Sequence, residues 1–275
     1  MERIKEAVEI AKANRDRLVG GAPREPRVAP EGGQRRPRAE FSSGSGQPTP
    51  LDPHHLKTMR IVADDVADPR GRSYEMLRTQ VVRRMSEAQK QTIGITSPTA
   101  GCGKTVSAIN LALSIARLPE RSITLVDLDL RKPQVADYLG LPPGLGIDDV
   151  LRGRAPLEDI VVAPDISQGR LRVLPTHHSS RNAAELIASS RMAEMVKQLR
   201  SEDPGGLIIF DLPPVLAVDD VISFLPQLDC ILLIVASGQS TVSDISNSER
   251  LLGGTEIMGI LLNKSQEGVE AGYQY

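Results

Sequence analysis

The residues best suited to chemistry fall in three short runs. The first is Ser97-Pro-Thr-Ala-Gly101-Cys102-Gly103-Lys104-Thr105, which follows the apolar run 92–97 and precedes Val106, Ile109, Leu113 and Ile115 at helical spacing. A glycine turn between a strand and a helix presents backbone N–H groups with no Cβ in the way, the arrangement that holds phosphates. In such a loop Lys104 reaches the β- and γ-phosphates and the Thr105 hydroxyl ligates Mg²⁺. The strict G-x-x-x-x-G-K-[ST] pattern fails, because Pro98 stands where its first glycine belongs. The second run is Ser122-Ile-Thr-Leu-Val126 leading into Asp127-Leu-Asp129-Leu-Arg131, and the third is Leu207-Ile-Ile-Phe210 leading into Asp211-Leu-Pro213-Pro214. In a parallel sheet ligands gather at the carboxyl ends of strands, so the three aspartates are expected to converge on the glycine loop. One carboxylate can position Mg²⁺ through its waters and another can take a proton from an attacking hydroxyl.

The expected site is therefore a Mg-ATP site. Gly101, Cys102, Gly103, Lys104 and Thr105 bind the nucleotide, and Lys104, Asp127 and Asp129 do the chemistry. Thr105, Asp127, Asp129 and Asp211 hold Mg²⁺, partly through water. Asn263 and Lys264 end the last apolar run, where Asn263 either contacts the base or simply terminates a strand.

These groups need a frame. Strand-like runs at 92–97, 122–126, 171–174, 207–210, 230–235 and 257–262 alternate with helical stretches such as 104–118 and 182–200. Apolar strands separated by helices predict an α/β fold, a mostly parallel sheet flanked by helices. Tyr74, Leu77, Val81, Val82 and Met85 form the stripe of a helix before the first strand. Residues 61–264 are read as this domain, 1–19 as an amphipathic helix, 20–60 as a disordered linker and 265–275 as a flexible tail. The helix carries Ile4, Val8, Ala11 and Leu18, and either docks on its own domain or offers a partner a handle. The linker reading rests on seven prolines between Pro23 and Pro53, set among Gly, Ser and Arg with almost no large apolar residue.

Composition narrows the function. With 275 residues and 40% hydrophobic content a substantial core is available, but there is no Trp, so the core must be aliphatic. A net charge of −2 gives no global pull toward nucleic acid or anionic lipid. Cys102 and Cys230 lack metal-ligand spacing and fit a reducing, cytoplasmic setting. No apolar run approaches the ~20 residues needed to span a bilayer. His177-His178 suggests a metal site, but no further ligand stands at the right spacing and an exposed loop is the expected alternative.

Together the three runs resemble the Walker A, A′ and B motifs of the bacterial tyrosine kinases, P-loop ATPases related to the partitioning ATPases. The resemblance extends from about Arg72 to the end and takes in Leu139-Gly-Leu-Pro, Gly146-Ile-Asp-Asp-Val-Leu151, Val173-Leu-Pro175, Asn182-Ala-Ala-Glu-Leu186 and Gly259-Ile-Leu-Leu-Asn263. It implies a P-loop NTPase fold and autophosphorylation from Mg-ATP on carboxy-terminal tyrosines, here Tyr273 and Tyr275, in control of exopolysaccharide polymerisation and export. It also implies a homo-oligomer and a separate membrane-embedded co-polymerase that activates the chain at the inner face of the membrane. A floppy terminus suits an acceptor, because it enters a neighbour's site without unfolding anything.

Three features depart from or sharpen that pattern. Cys102 stands where the family usually has Glu. The family's E-x-x-R-x-x-R oligomer motif reads Arg72-Ser-Tyr-Glu75-Met-Leu-Arg78, with the first two charges exchanged. Thr99 replaces the signature lysine of the partitioning and division-site ATPases, which separates the chain from that group. A P-loop ATPase without kinase activity, acting as a nucleotide sensor or partitioning-type switch, is the alternative.

Overall fold

The computed structural model describes residues 48–63, 65, 68–119, 121–165 and 170–265. The expected amino-terminal helix, most of the linker and the tail with Tyr273 and Tyr275 lie outside these residues.

Among the described residues six strands form one sheet: β1 (Thr92–Thr96), β2 (Ser122–Asp127), β3 (Arg170–Leu174), β4 (Leu207–Asp211), β5 (Cys230–Ala236) and β6 (Ile257–Asn263). Their order is β3-β2-β4-β1-β5-β6, and every pairing is parallel. All six were legible as apolar runs, and their ends agree with the sequence reading to within a residue. Side chains alternate between two cores. Ile93, Ile95, Ile123, Leu125, Ile209, Leu232 and Ile234 face one side, while Val126, Ile208, Phe210, Ile231, Leu233 and Val235 face the other. Strands buried on both faces read as unbroken apolar runs for this reason.

The first face is covered by α1 (Pro53–Thr58), α2 (Gly71–Glu87), α3 (Lys104–Ala116) and α4 (Val135–Leu139). The second is covered by α5 (Ile147–Leu151), α6 (Ala183–Ile187), α7 (Ser190–Glu202), α8 (Asp220–Phe224) and α9 (Val242–Leu251). Helix α3 is buried along almost its whole length, every residue but Val106. Helix α2 brings its Val81 and Met85 against the same core, as its stripe predicts.

Two expectations are corrected. The stretch 182–200 is not one helix: Ser189 is extended and its hydroxyl caps Met192 N, so the chain breaks into α6 and α7. The linker does not run to residue 60. Asp52 accepts from His54 N at 2.9 Å with Pro53 at the first helical position, which starts α1, and Leu56 is buried beneath it. Upstream, Thr49 exchanges backbone hydrogen bonds with the 163–165 segment. His55, read as a linker residue, holds the Asp137 carbonyl oxygen through Nε2 at 2.8 Å. Proline-rich composition marked this arm as open chain because its ordering comes from contacts 50 or more residues away.

Candidate functional site

Between β1 and α3 the chain turns through Gly101 at φ 79° and Gly103 at φ 91°. Both are left-handed conformations that a side chain strains. Gly103 has a second constraint, since a Cβ there would lie 2.2 Å from Asn263 Nδ2. That amide donates to Cys102 O at 2.9 Å, and Asn263 Oδ1 accepts from Lys264 N at 2.8 Å. Asn263 thus holds the phosphate loop. The Cys102 side chain is fully buried, with Sγ 3.6 Å from both Thr99 Oγ1 and Ser240 Oγ. It packs under the loop and leaves only backbone to a phosphate.

Lys104 Nζ lies 2.9 Å from Asp129 Oδ2 and 3.6 Å from Asp211 Oδ1. The Thr105 hydroxyl donates to Asp211 Oδ2 at 2.7 Å. The parallel register of β2 and β4 sets Asp127 beside Asp211, two carboxylates on neighbouring strands. Asp127 is turned toward its own loop: Oδ1 accepts from Asp129 N at 3.2 Å, and Oδ2 from Gln134 N at 3.1 Å and Val135 N at 3.0 Å. Asp129 and Asp211 therefore bracket the lysine, and Asp127 shapes the segment that carries Asp129.

Charge and burial act together here. Burial pushes the Asp127 carboxyl well above the usual carboxylate range, and the Asp211 charge adds to the effect against the opposing Val135 N–H and Lys104. Burial also raises Asp211, opposed by Lys104 and by the Thr105 hydroxyl. For Lys104, burial disfavours the ammonium, but Asp211 and Asp129 outweigh it and hold the group above the ordinary lysine range. The neighbouring carboxylates thus favour the charged form of Lys104, while burial favours the neutral forms of Asp127 and Asp211.

Asp211 Oδ1 is buried and accepts no hydrogen bond, and Lys104 at 3.6 Å is too far to supply one. An unsatisfied hard oxygen beside a hydroxyl fits Mg²⁺, which takes one or two protein ligands and completes its shell with water and phosphate. Among the described residues no three carboxylate, imidazole or thiol groups form a metal cage of their own, and this includes His177 and His178.

The cluster opens into a cleft of about 330 Å³. Its walls are Gly101, Gly103, Lys104, Thr105 and Val106, then Asp129, Lys132, Gln134 and Tyr138, with Pro214, Lys264 and residues 58–60 closing the rim. Sequence reading missed Lys132, Gln134, Tyr138 and Arg60. Lys132 and Gln134 were reachable by following the Asp127-to-Arg131 run a few residues further, but nothing in sequence points to Arg60.

EpsB of Ralstonia solanacearum is 31% identical over 221 residues, which take in 80% of this chain and 28% of EpsB. The tyrosine-protein kinase YwqD of Bacillus subtilis is 28% identical over 204 residues, 74% of this chain and 84% of YwqD. The kinase domain of the Escherichia coli tyrosine kinase Etk superposes with a TM-score of 0.69 at 26% identity, covering 78% of this chain and 84% of that one. Its relatives are bacterial tyrosine kinases, and its fold is that of their kinase domains. No protein-family model matches the chain. The chain spans little more than a quarter of the length of EpsB.

Within this tyrosine-kinase fold the altered oligomer motif divides in two. Arg78 is spent inside the chain, donating from Nη1 to Ser114 O at 3.0 Å, while Arg72 and Glu75 are exposed on α2. Among the described residues no helix is long and apolar enough to cross a membrane.

Proposed function

We propose that this chain is an ATP-dependent protein-tyrosine autokinase that transfers the γ-phosphoryl group of ATP to Tyr273 and Tyr275 of a neighbouring copy. The observation that carries the reading is the bracketing of Lys104 by Asp129 and Asp211 at the mouth of the cleft, in a fold shared with a tyrosine-kinase domain. On binding, the phosphates draw Lys104 from its carboxylates, and the backbone of 101–105 wraps them. Thr105 and Asp211 would hold Mg²⁺, while Asp127, turned toward its own loop, would shape the segment that carries Asp129. When bound, Mg²⁺ neutralises charge on the β- and γ-phosphate oxygens.

Asp129 lines the cleft and Asp127 does not, which favours Asp129 as the acceptor of the phenolic proton. The phenolic oxygen bonds to the γ-phosphorus as the bond to the β,γ-bridging oxygen breaks. ADP leaves, and the proton goes to the carboxylate. Lys104 compensates the charge that develops on the bridging oxygen. By analogy with its relatives the chain works in the cytoplasm, recruited to the inner face of the membrane by a membrane-embedded co-polymerase, and regulates exopolysaccharide polymerisation and export.

The test mixes two chains. A Lys104→Met chain with intact tyrosines is incubated with radiolabelled ATP and an active chain carrying Tyr273→Phe and Tyr275→Phe. Label on the Lys104→Met chain demonstrates transfer between copies, and the double-Phe chain retains ATP hydrolysis. Label confined to the double-Phe chain makes another residue the acceptor. No phosphotyrosine in any mixture, wild type included, replaces the kinase reading with that of a nucleotide sensor.

A further inference from the structure

One cation on the rim of the cleft comes from the arm that precedes the first strand. Arg60 ends the arm that precedes the kinase-like domain and lines the cleft with Lys104, Thr105 and Val106. Its backbone is left-handed, at φ 63°. Arg60 N donates to Lys57 O at 3.1 Å and Ile61 N to Leu56 O at 2.8 Å, the pair of bonds that closes a helix through a left-handed residue. Glycine is the usual occupant of that position, because any Cβ is strained there. Here an exposed arginine occupies it, and among the described residues no hydrogen bond or ion pair engages its guanidinium.

The turn is also pinned from below. Asn110 is fully buried in α3, where a polar side chain must be satisfied. Its Oδ1 accepts from Val62 N at 2.7 Å and Ala63 N at 2.9 Å, and its Nδ2 donates to Arg60 O at 3.1 Å. A side chain two turns into the phosphate-loop helix thus sets the exit of the arm. The helix that positions Lys104 and Thr105 also positions Arg60. Among the described residues around the cleft, Arg60, Lys104, Lys132 and Lys264 stand against Asp129 alone as lining charges.

We propose that Arg60 is a nucleotide-binding residue, its guanidinium contacting the polyphosphate of ATP, and that Asn110 is the positioning residue that holds it there. This rests on the nucleotide-site reading above. A planar guanidinium suits phosphate oxygens, and a strained backbone held by three hydrogen bonds gives it a fixed origin. The arm is then a working wall of the site.

Glycine at position 60 separates binding from folding. Arg60→Gly removes the guanidinium while relieving the left-handed strain, so a purely structural role predicts equal or better folding with unchanged binding. We expect the full chain with Arg60→Gly to melt at or above the wild-type temperature and to bind Mg-ATP about tenfold or more weakly in calorimetric titration, in line with loss of a charge-assisted hydrogen bond. Asn110→Ala should weaken Mg-ATP binding in the same direction, with Arg60→Lys intermediate between wild type and glycine. Wild-type affinity in Arg60→Gly overturns the assignment while leaving the nucleotide site intact. A wild-type chain that fails to bind Mg-ATP overturns both readings.

Discussion

Asn263 at the end of β6 and Cys102 in the phosphate loop are joined by a hydrogen bond of 2.9 Å, from side-chain Nδ2 to main-chain carbonyl oxygen. The two residues are 161 positions apart. The edge strand of the sheet therefore braces the loop that follows its central strand. Asn263→Ala leaves the Cys102 carbonyl without that donor and should cost about 1 kcal/mol of stability and roughly fivefold to tenfold in Mg-ATP affinity. Thermal unfolding and titration on the same sample check both, and unchanged affinity would remove the bracing role.

Lys104→Met should lower ATP turnover by at least ~100-fold, because the charge is needed where negative charge develops. It also removes the cation that opposes the burial-raised Asp211 carboxyl, so that carboxyl rises further and costs stability at pH values above its raised range. The variant should be less stable than wild type at pH 7, and the gap should narrow as the pH falls and Asp211 takes up a proton. Unfolding curves across pH 5 to 8 provide the check. A gap that widens in acid contradicts the electrostatic account.

Asp127 and Asp129 are expected to behave differently when each is changed to Asn. Both variants should lose ~10- to 1000-fold in turnover. Asp127 accepts three backbone N–H groups, and an amide turns one NH₂ toward a donor, so Asp127→Asn should also lose about 1–2 kcal/mol of stability. Asp129→Asn instead takes from the buried Lys104 its nearer carboxylate, so its stability loss should shrink in the Lys104→Met background while that of Asp127→Asn should not. Equal turnover to wild type in both, at saturating Mg²⁺, would remove the carboxylates from the mechanism.

Asp229 offers a pH test away from the site. Its carboxylate accepts from Gln91 N and Thr92 N, both at 2.8 Å, and pairs with Arg200 at 3.0 Å, anchoring the start of β1. Burial disfavours the charged form, but Thr92 N–H, Gln91 N–H and Arg200 outweigh it and hold the carboxyl below its ordinary 3.8. A carboxyl depressed in the folded state adds stability that is full above the unfolded value and lost as the pH falls through the folded one. Asp229→Ala should therefore cost about 1–2 kcal/mol at pH 7, with allowance for its partial exposure, and progressively less below pH 4. Chemical denaturation at pH 7 and pH 3 decides it, and an undiminished gap at pH 3 would contradict this linkage.

The sequence by itself determined the strands, the glycine loop and the three strand-end aspartates. Each of these depends on a short window: apolar runs long enough to be strands, and glycines where no Cβ fits. Near neighbours in the chain dictate such features, so motif and spacing suffice. Only the tertiary structure decided which carboxylates meet Lys104, because Asp127 and Asp129 differ in the backbone N–H groups that the next eight residues turn toward them. It likewise decided that Asn263 serves the loop and that residues 53–60 form, rather than a linker, a helix whose end, 58–60, walls the cleft. Those outcomes hang on partners such as Asn110 and Asp137, 50 and 82 residues away from the groups they hold. A sequence window holds only one member of such a pair, and it takes the folded sheet to bring the other within hydrogen-bonding distance.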